Sequence, residues 1–140
     1  MTHDLTTRGL EVFGELMGEG AVAKMQEGIA SGHFGSPIGE LATHYAFASV
    51  WGRDGLERKQ RSLVVIGVLI AQRQLLELKN HVRIGIRNGL SVREIEEALI
   101  QTTPYVGFPA VASATTAIIE VLRELGLDVQ TRTAEERGVL

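Results

Sequence analysis

Cysteine is absent from the 140-residue sequence. The chain therefore forms no disulfide and offers no thiolate, so its chemistry must depend on proton transfer or on metal ions. A long apolar run is also absent, because residues 63–71 fall far short of the roughly 20 residues that span a bilayer. The first residues lack the charged and apolar regions of a signal peptide. We expect a soluble, cytoplasmic protein with no membrane partner.

The formal net charge of −3 is divided unevenly along the chain. Residues 53–93 contain nine basic and three acidic side chains, whereas the rest of the sequence is strongly acidic. The broad positive face that general nucleic-acid binding needs is therefore not expected. A local positive field suits a small anionic substrate, although solvated helix faces and ion pairs between helices would explain the same charges.

Strand signals are missing, because apolar and polar residues never alternate over more than a few positions. Helical spacing predicts a single all-α domain over residues 1–126, and the polar residues 127–140 predict a C-terminal tail that is loose or lies against a partner. The predicted helices cover residues 5–17, 21–30, 41–50 and 56–72, a segment ending at residue 88, and residues 92–102 and 110–125.

Local signals set the expected helix boundaries. Glycine and proline predict a loop over residues 31–39, and Pro104 and residues 107–109 are expected to interrupt the chain. Asn88 and Gly89 predict a left-handed helix end. Other patterns predict a capping box formed by Ser91 and Glu94 and a central helix over residues 56–72 that is buried on nearly all sides.

One polar pair within the helical sequence carries candidate chemistry. Glu77 and His81 lie four residues apart, which on a helix places both side chains on one face with a rise of about 6 Å between them. The imidazole titrates near neutral pH, so the two residues form a candidate acid/base pair. A surface or structural pair has the same spacing and is the alternative interpretation.

The segment from Trp51 to Ala114 carries a set of residues at spacings typical of a known family. It resembles the carboxymuconolactone decarboxylase family, the cysteine-free branch related to the alkyl hydroperoxidase D proteins. The matching residues are Trp51, Gly55, Leu56, Arg61, Ser62, Leu63, Glu77, Leu78, Lys79, His81, Arg83, Gly89, Glu94, Ile95, Glu97, Tyr105, Gly107, Pro109, Ala110 and Ala114.

The resemblance implies an all-helical bundle of six or seven helices that assembles as a homotrimer or homohexamer with sites near subunit contacts. The peroxidase-like relatives carry a Cys-x-x-Cys motif followed by a histidine. Aligning His81 with that histidine places Gln74 and Glu77 on the two cysteine positions. A thiol peroxidase is thus excluded.

By resemblance, the chain is a carboxy-lyase of aromatic-compound catabolism that acts on a small carboxylated lactone without a cofactor. Loss of carbon dioxide from such a lactone produces a dienolate, which needs an oxyanion donor and a proton. His81 is the candidate proton donor, and Glu77 orients its imidazole or shuttles the proton. Arg61, ahead of Lys79 and Arg83, is the candidate that holds the remaining carboxylate.

Further residues are candidates for substrate binding, each with a structural alternative. Tyr105 has a hydroxyl that can donate to the lactone oxygen, although packing is the favoured explanation for both Tyr105 and Trp51. His33 lies in the predicted loop, where a histidine is commonly solvated. Decarboxylase relatives often have a histidine six residues before the tryptophan, and Tyr45, next to His44, takes that position here.

The substitution at Tyr45 leaves other functions open. A relative with altered acid/base chemistry on another small anion would perform lactone hydrolysis, isomerisation or cyclisation. A metal enzyme would need His33, His44, Glu77 and His81 to converge. A non-enzymatic oligomeric binding protein would keep the helices without needing the acid/base pair. We expect neither a metal site nor a cofactor.

Overall fold

Helices make up most of the protein in a computed structural model that describes residues 2–139. Within these limits all regular secondary structure is helical, which confirms the all-α prediction. None of the helices in this range combines the length and apolar character needed to cross a membrane. The elements are α1 (Thr2–Met17), α2 (Glu19–Ala30), α3 (Ser36–Leu41), a π-helix (Ala42–Trp51), α4 (Arg58–Ala71), α5 (Leu75–Arg87), α6 (Val92–Val106) and α7 (Phe108–Glu124).

The described chain divides into two compact units at the start of α4, residues 2–58 and residues 59–139. In the first unit, α1 packs mainly against the π-helix. The ring of Phe13 meets the ring of Phe47 edge to face with centroids 5.0 Å apart, a favourable arrangement for aromatic pairs. Trp51, at the end of the π-helix, is 7% exposed. Other buried side chains of this unit are Val12, Leu16, Thr43 and Ala48.

The π-helix occupies the predicted helix 41–50, but with a wider turn. The backbone N–H of Gly52 donates to the carbonyl of Phe47 at 2.9 Å, which is an i to i+5 bond. A second hydrogen bond also spans five residues: the Ser49 hydroxyl donates to the carbonyl of His44 at 2.9 Å. Such wide turns are rare and often occur at functional positions.

The second unit contains the larger apolar core. Helix α7 packs against α5 and α6, using small residues where it passes closest to its neighbours. Burial of this apolar surface is the main force that stabilises the unit. The buried cluster comprises Ile66, Ile70, Leu78, Val82, Leu90, Ile95, Leu99, Ala114, Ile118, Val121 and Leu122.

Two predicted helix signals are confirmed. Gly89 has φ of 99° directly after the end of α5, a conformation that glycine adopts without a steric penalty. The Ser91 hydroxyl accepts from the N–H of Glu94 at 3.0 Å, and the Glu94 carboxylate accepts from the N–H of Ser91 at 3.1 Å. This reciprocal capping box starts α6.

The predicted break at Pro104 is wrong, because α6 continues to Val106 and ends at Gly107, where φ is 87°. Proline removes the N–H that would bond the carbonyl of Ile100. Pro104 and Ile100 are both exposed, so water can solvate that carbonyl. The predicted interruption at residues 107–109 is confirmed, because α6 ends before Gly107 and α7 begins at Phe108. Pro109 lies in the first turn of α7, where proline is tolerated.

Two further expectations need correction. The predicted loop 31–39 contains the short helix α3, which begins after Gly35. The predicted central helix is not buried on nearly all sides, because Val64 and Val68 of α4 are 59% and 47% exposed. Apolar residues on an outer helix face are indistinguishable by sequence from those facing the core.

Residues 127–139 fold back onto α7 of their own chain, whereas the sequence predicted a tail that is loose or lies against a partner. Arg123 donates through Nε to the carbonyl of Thr131 at 3.2 Å and through Nη1 to the carboxylate of Glu136 at 3.1 Å. Thr133 is only 5% exposed. The tail is therefore fixed by polar contacts, although it has no regular secondary structure.

Candidate active site

The predicted acid/base pair lies on α5, one helical turn apart. Glu77 is exposed in the first turn, and His81 is half-buried with its Nδ1 atom inside the protein. Burial lowers the pKa of His81 below its usual 6.5, and the carboxylate of Glu77 acts in the opposite direction. Burial is the larger of these two opposing influences on the proton affinity of the imidazole.

A chain of polar contacts leads from Glu77 around α5 towards α7. The Asn80 amide donates to the carboxylate of Glu77 at 3.5 Å, the outer limit for such a bond, and accepts from Arg83 Nη1 at 3.2 Å. Arg83 is held in turn by both carboxylate oxygens of Glu124 on α7, at 2.8 and 3.1 Å from Nε and Nη2. These contacts restrict the orientation of the face that carries Glu77.

The two secondary candidates for anion binding are engaged by carboxylates of α7. Lys79 forms an ion pair with Glu120, and Arg83 forms the bidentate pair with Glu124. The hydrogen bond from Arg83 lowers the pKa of Glu124. Binding a substrate carboxylate at either cation would require breaking its ion pair, so both are poorer anion sites than the sequence suggested.

Arg61 lies near the start of α4, where its side chain is half-buried and its Nε atom is inside the protein. The next residue, Ser62, is fully buried and accepts a hydrogen bond from Asn88 Nδ2 at 2.8 Å. Sequence reasoning did not identify Ser62 and Asn88 as a pair. The available signal was a serine four residues before Ile66, in a line that is otherwise apolar.

The residues predicted to bind substrate are divided between the two units. His81, Glu77, Arg61 and Tyr105 belong to residues 59–139, and within this group the structure places Glu77 and His81 on one face of α5. Tyr105 lies near the end of α6 and is 81% exposed. The other four, His33, His44, Tyr45 and Trp51, belong to residues 2–58.

Within the first unit, the adjacent residues His44 and Tyr45 differ in environment. His44 is half-buried, and its Nε2 atom lies 2.6 Å from the hydroxyl oxygen of Thr6 on α1. Tyr45 is 71% exposed. His33 is exposed in the turn before α3, and Trp51 is buried in the unit's interior. Thr6 is a partner of His44 that the sequence did not reveal.

No group of three or more histidine, aspartate or glutamate side chains in the described part of the chain is arranged to hold a metal ion.

A separate groove of about 500 Å³ lies between α4 and α6. Its floor includes Leu63, Gly67 and Ala98, and its rim includes Arg93 and Glu97. None of the eight predicted site residues lines it. The groove is lined by side chains that also cap and flank the start of α6, so it is distinct from the polar face of α5.

Comparison with known proteins identifies similar sequences. Residues 37–120 match the model of the carboxymuconolactone decarboxylase family. The chain is 35% identical to 4-carboxymuconolactone decarboxylase from Acinetobacter baylyi over 120 residues, which cover 86% of this chain and 88% of that protein. It is 44% identical to nitrosuccinic acid decarboxylase from Metarhizium robertsii over 81 residues, which cover 58% of this chain and 57% of that protein. The chain thus spans little more than half the length of the second relative.

Proposed function

Because the chain belongs to the carboxymuconolactone decarboxylase family, we propose that it is a carboxy-lyase that removes carbon dioxide from a small carboxylated lactone such as γ-carboxymuconolactone. The observation that carries the proposal is the position of His81, half-buried on α5 one turn after Glu77. Its imidazole is partly buried and is influenced by a nearby carboxylate, and histidine is the side chain that most often acts as a general acid or base.

The reaction needs an electron acceptor and then a proton. When the carboxylate leaves the γ-carbon as carbon dioxide, the bonding electron pair moves through the ring double bond to the lactone carbonyl and forms a dienolate. The imidazolium of His81 then transfers its proton to carbon, and the neutral imidazole regains a proton from solvent. Because the lactone itself accepts the electrons, this proposal includes no cofactor.

Arg61 is assigned the role of binding the carboxylate that remains on the substrate. Guanidinium groups suit this role because they bind carboxylates through two parallel hydrogen bonds. The assignment is supported by the half-buried position of Arg61 near the start of α4. Tyr105 is proposed to donate to the lactone oxygen. Further substrate contacts are assigned to His33, His44, Tyr45 and Trp51.

We also propose that the protein acts as a homotrimer or homohexamer. Support comes from large apolar side chains that the single chain leaves exposed, since exposed apolar patches commonly mark association surfaces. Phe34, Tyr45, Leu76, Tyr105 and Phe108 are all more than two-thirds exposed. Sedimentation equilibrium would test this assembly, and a monomer at micromolar concentration would contradict it.

A second candidate substrate is nitrosuccinate, which is favoured by the 44% identity to a protein named for that substrate. Loss of a carboxylate next to the nitro group would leave its electron pair on the nitro oxygens. The same proton donor and the same cation would then serve, because the product carbon again needs a proton and a carboxylate remains. The tyrosine at position 45, where decarboxylase relatives often have a histidine, is compatible with such a change of substrate.

The test supplies purified protein with each substrate, without added cofactor, and measures the release of carbon dioxide. We expect turnover of γ-carboxymuconolactone, reduced by roughly 100-fold or more in His81→Gln and clearly reduced in Glu77→Gln. Glu27→Gln, an exposed change on α2, is the matched control and should retain full activity. Turnover of nitrosuccinate alone would assign the second substrate. Full activity in His81→Gln would refute the role of the imidazole.

A further inference from the structure

We propose that Ser62 and Asn88 form a positioning pair that fixes Arg61 relative to His81. This inference rests on the proposed function, because it concerns the carboxylate-binding role given there to Arg61. The Asn88 amide donates to the hydroxyl of Ser62 at 2.8 Å, and the two residues are 26 positions apart in the sequence. The hydrogen bond therefore joins α4 to the C-terminal end of α5.

The bond connects the two elements that carry the proposed chemistry. Ser62 directly follows Arg61 on α4. Asn88 follows His81 by seven residues, which is two turns of α5 on the same face and about 10 Å along its axis. A shift of α4 along α5 would break the bond and change the separation of the guanidinium and the imidazole. The pair thus sets the register of the two helices.

Packing around the bond makes this register specific. Ser62, Ile66 and Ile70 form the buried line of α4, and each is 0% exposed. Close to this line, a Cβ placed on Gly85 of α5 would lie 3.4 Å from Ile66 Cδ1 and 2.8 Å from the side chain of Leu90. The Ile66 side chain of α4 therefore lies against the backbone of α5 at Gly85.

A hydroxyl at Ser62 is not needed to fill this space. Burying a hydroxyl is unfavourable unless it is hydrogen-bonded, and an alanine at the same position would avoid that cost. In some proteins a buried polar group fixes the register of packed helices, and this role is assigned here to the bond between Ser62 and Asn88. Asn88 supplies the donor from the residue that ends α5, where a side chain can reach the neighbouring helix without disturbing the helical hydrogen bonds.

The test compares Ser62→Ala, Asn88→Ala and the double variant in steady-state decarboxylation. A displaced Arg61 weakens the grip on the substrate carboxylate, so we expect KM to rise about tenfold in each single variant while kcat changes by less than about twofold. The double variant should be no worse than either single variant, because both changes remove the same bond. Asn88 is only half-buried, so Asn88→Ala tests the pair even if Ser62→Ala folds poorly.

Thr103→Ala is the matched control, since it removes a 2.8 Å side-chain hydrogen bond within α6 of the same unit without joining α4 to α5. It should leave KM unchanged. A lower unfolding temperature with unchanged KM in the Ser62 and Asn88 variants would show a structural role only and overturn the inference.

Binding of succinate, a dicarboxylate probe, measured by calorimetry separates this inference from the proposed function. Weaker binding in the variants supports the pair even if the unmutated protein turns over no substrate. Equal binding in all proteins, or no binding to the unmutated protein, overturns the inference.

Discussion

Glu77 lies one helical turn before His81 on α5 and opposes the effect of burial on the imidazole. Burial lowers the pKa of His81, because the charged form loses hydration, and the nearby carboxylate raises it by attracting the imidazolium. Burial is the stronger influence. The carboxylate therefore limits a loss of proton affinity that would otherwise leave the proposed donor deprotonated over a wider range of pH.

This relationship predicts a pH profile. If the imidazolium donates the proton, kcat/KM falls as pH rises through the pKa of His81 in the free enzyme, which lies below 6.5. In Glu77→Gln the opposing influence is removed, so the falling limb moves to lower pH. In the unmutated enzyme, kcat should fall at a higher pH than kcat/KM does, because the carboxylates of the bound substrate stabilise the imidazolium.

Measurement of both profiles between pH 4.5 and 8.5 (roughly two units either side of the ordinary histidine value) checks this prediction. Glu96→Gln, an exposed change on α6, serves as the control and should leave the limb in place. A rate that increases with pH through the same region would show that the neutral imidazole is the active form, contrary to a donor role for the imidazolium.

The two arginines near the site should differ in their effect on substrate binding. In Arg61→Gln we expect KM to rise by about 10- to 100-fold, the equivalent of about 1.5 to 3 kcal/mol for hydrogen bonds to a charged group. Arg83→Gln should change KM by less than about twofold and lower stability only slightly, since its pair with Glu124 is more than one-third exposed. A larger rise in KM in Arg83→Gln than in Arg61→Gln would show that Arg83 binds the substrate carboxylate.

The close contact between α1 and the π-helix predicts a large loss of stability at one glycine. A Cβ on Gly9 would lie 2.1 Å from the carbonyl oxygen of Thr43, so the backbone would have to move. Gly9→Ala should lower the free energy of unfolding by about 3 kcal/mol. A Cβ on Gly28 of α2 would meet no atom within 4 Å, so Gly28→Ala should raise the free energy of unfolding by about 0.5 to 1 kcal/mol. Urea unfolding followed by circular dichroism compares the two, and equal effects would contradict this interpretation.

Local signals in the sequence predicted much of the fold. The capping box at Ser91 and the glycine at position 89 depend only on neighbouring residues, and both are confirmed. The continuation of α6 through Pro104 was not predictable, because it depends on the exposure of that side of the helix. The wide turn of the π-helix likewise depends on its packing against α1, which a helical pattern of apolar residues does not encode.

The candidate site also combines features that neighbouring residues determine with features that depend on tertiary contacts. The four-residue spacing of Glu77 and His81 fixes their shared face once α5 forms, so this part followed from the sequence. The bond between Ser62 and Asn88 joins residues distant in sequence, and the contact of His44 with Thr6 spans 38 positions. Partners of this kind depend on tertiary packing, and no local pattern identifies them.

The C-terminal tail should be released by acid. The hydrogen bond from Arg123, together with one from the backbone N–H of Thr133, lowers the pKa of Glu136 from 4.5 to about 2. Because this pKa is lower in the folded than in the unfolded chain, the carboxylate stabilises the tail above about pH 4.5, and the stabilisation is lost as pH falls towards 2.

Hydrogen exchange at the amide of Thr133, which donates to Glu136 at 2.8 Å, measures this effect directly. After correction for intrinsic exchange rates, protection should decrease between pH 5 and pH 2 in the unmutated protein and in Glu135→Gln, an exposed control. In Glu136→Gln protection should be lower at pH 5 and nearly independent of pH, since the charge that attracts Arg123 is absent. An equal decrease in that variant would show that another group controls the release of the tail.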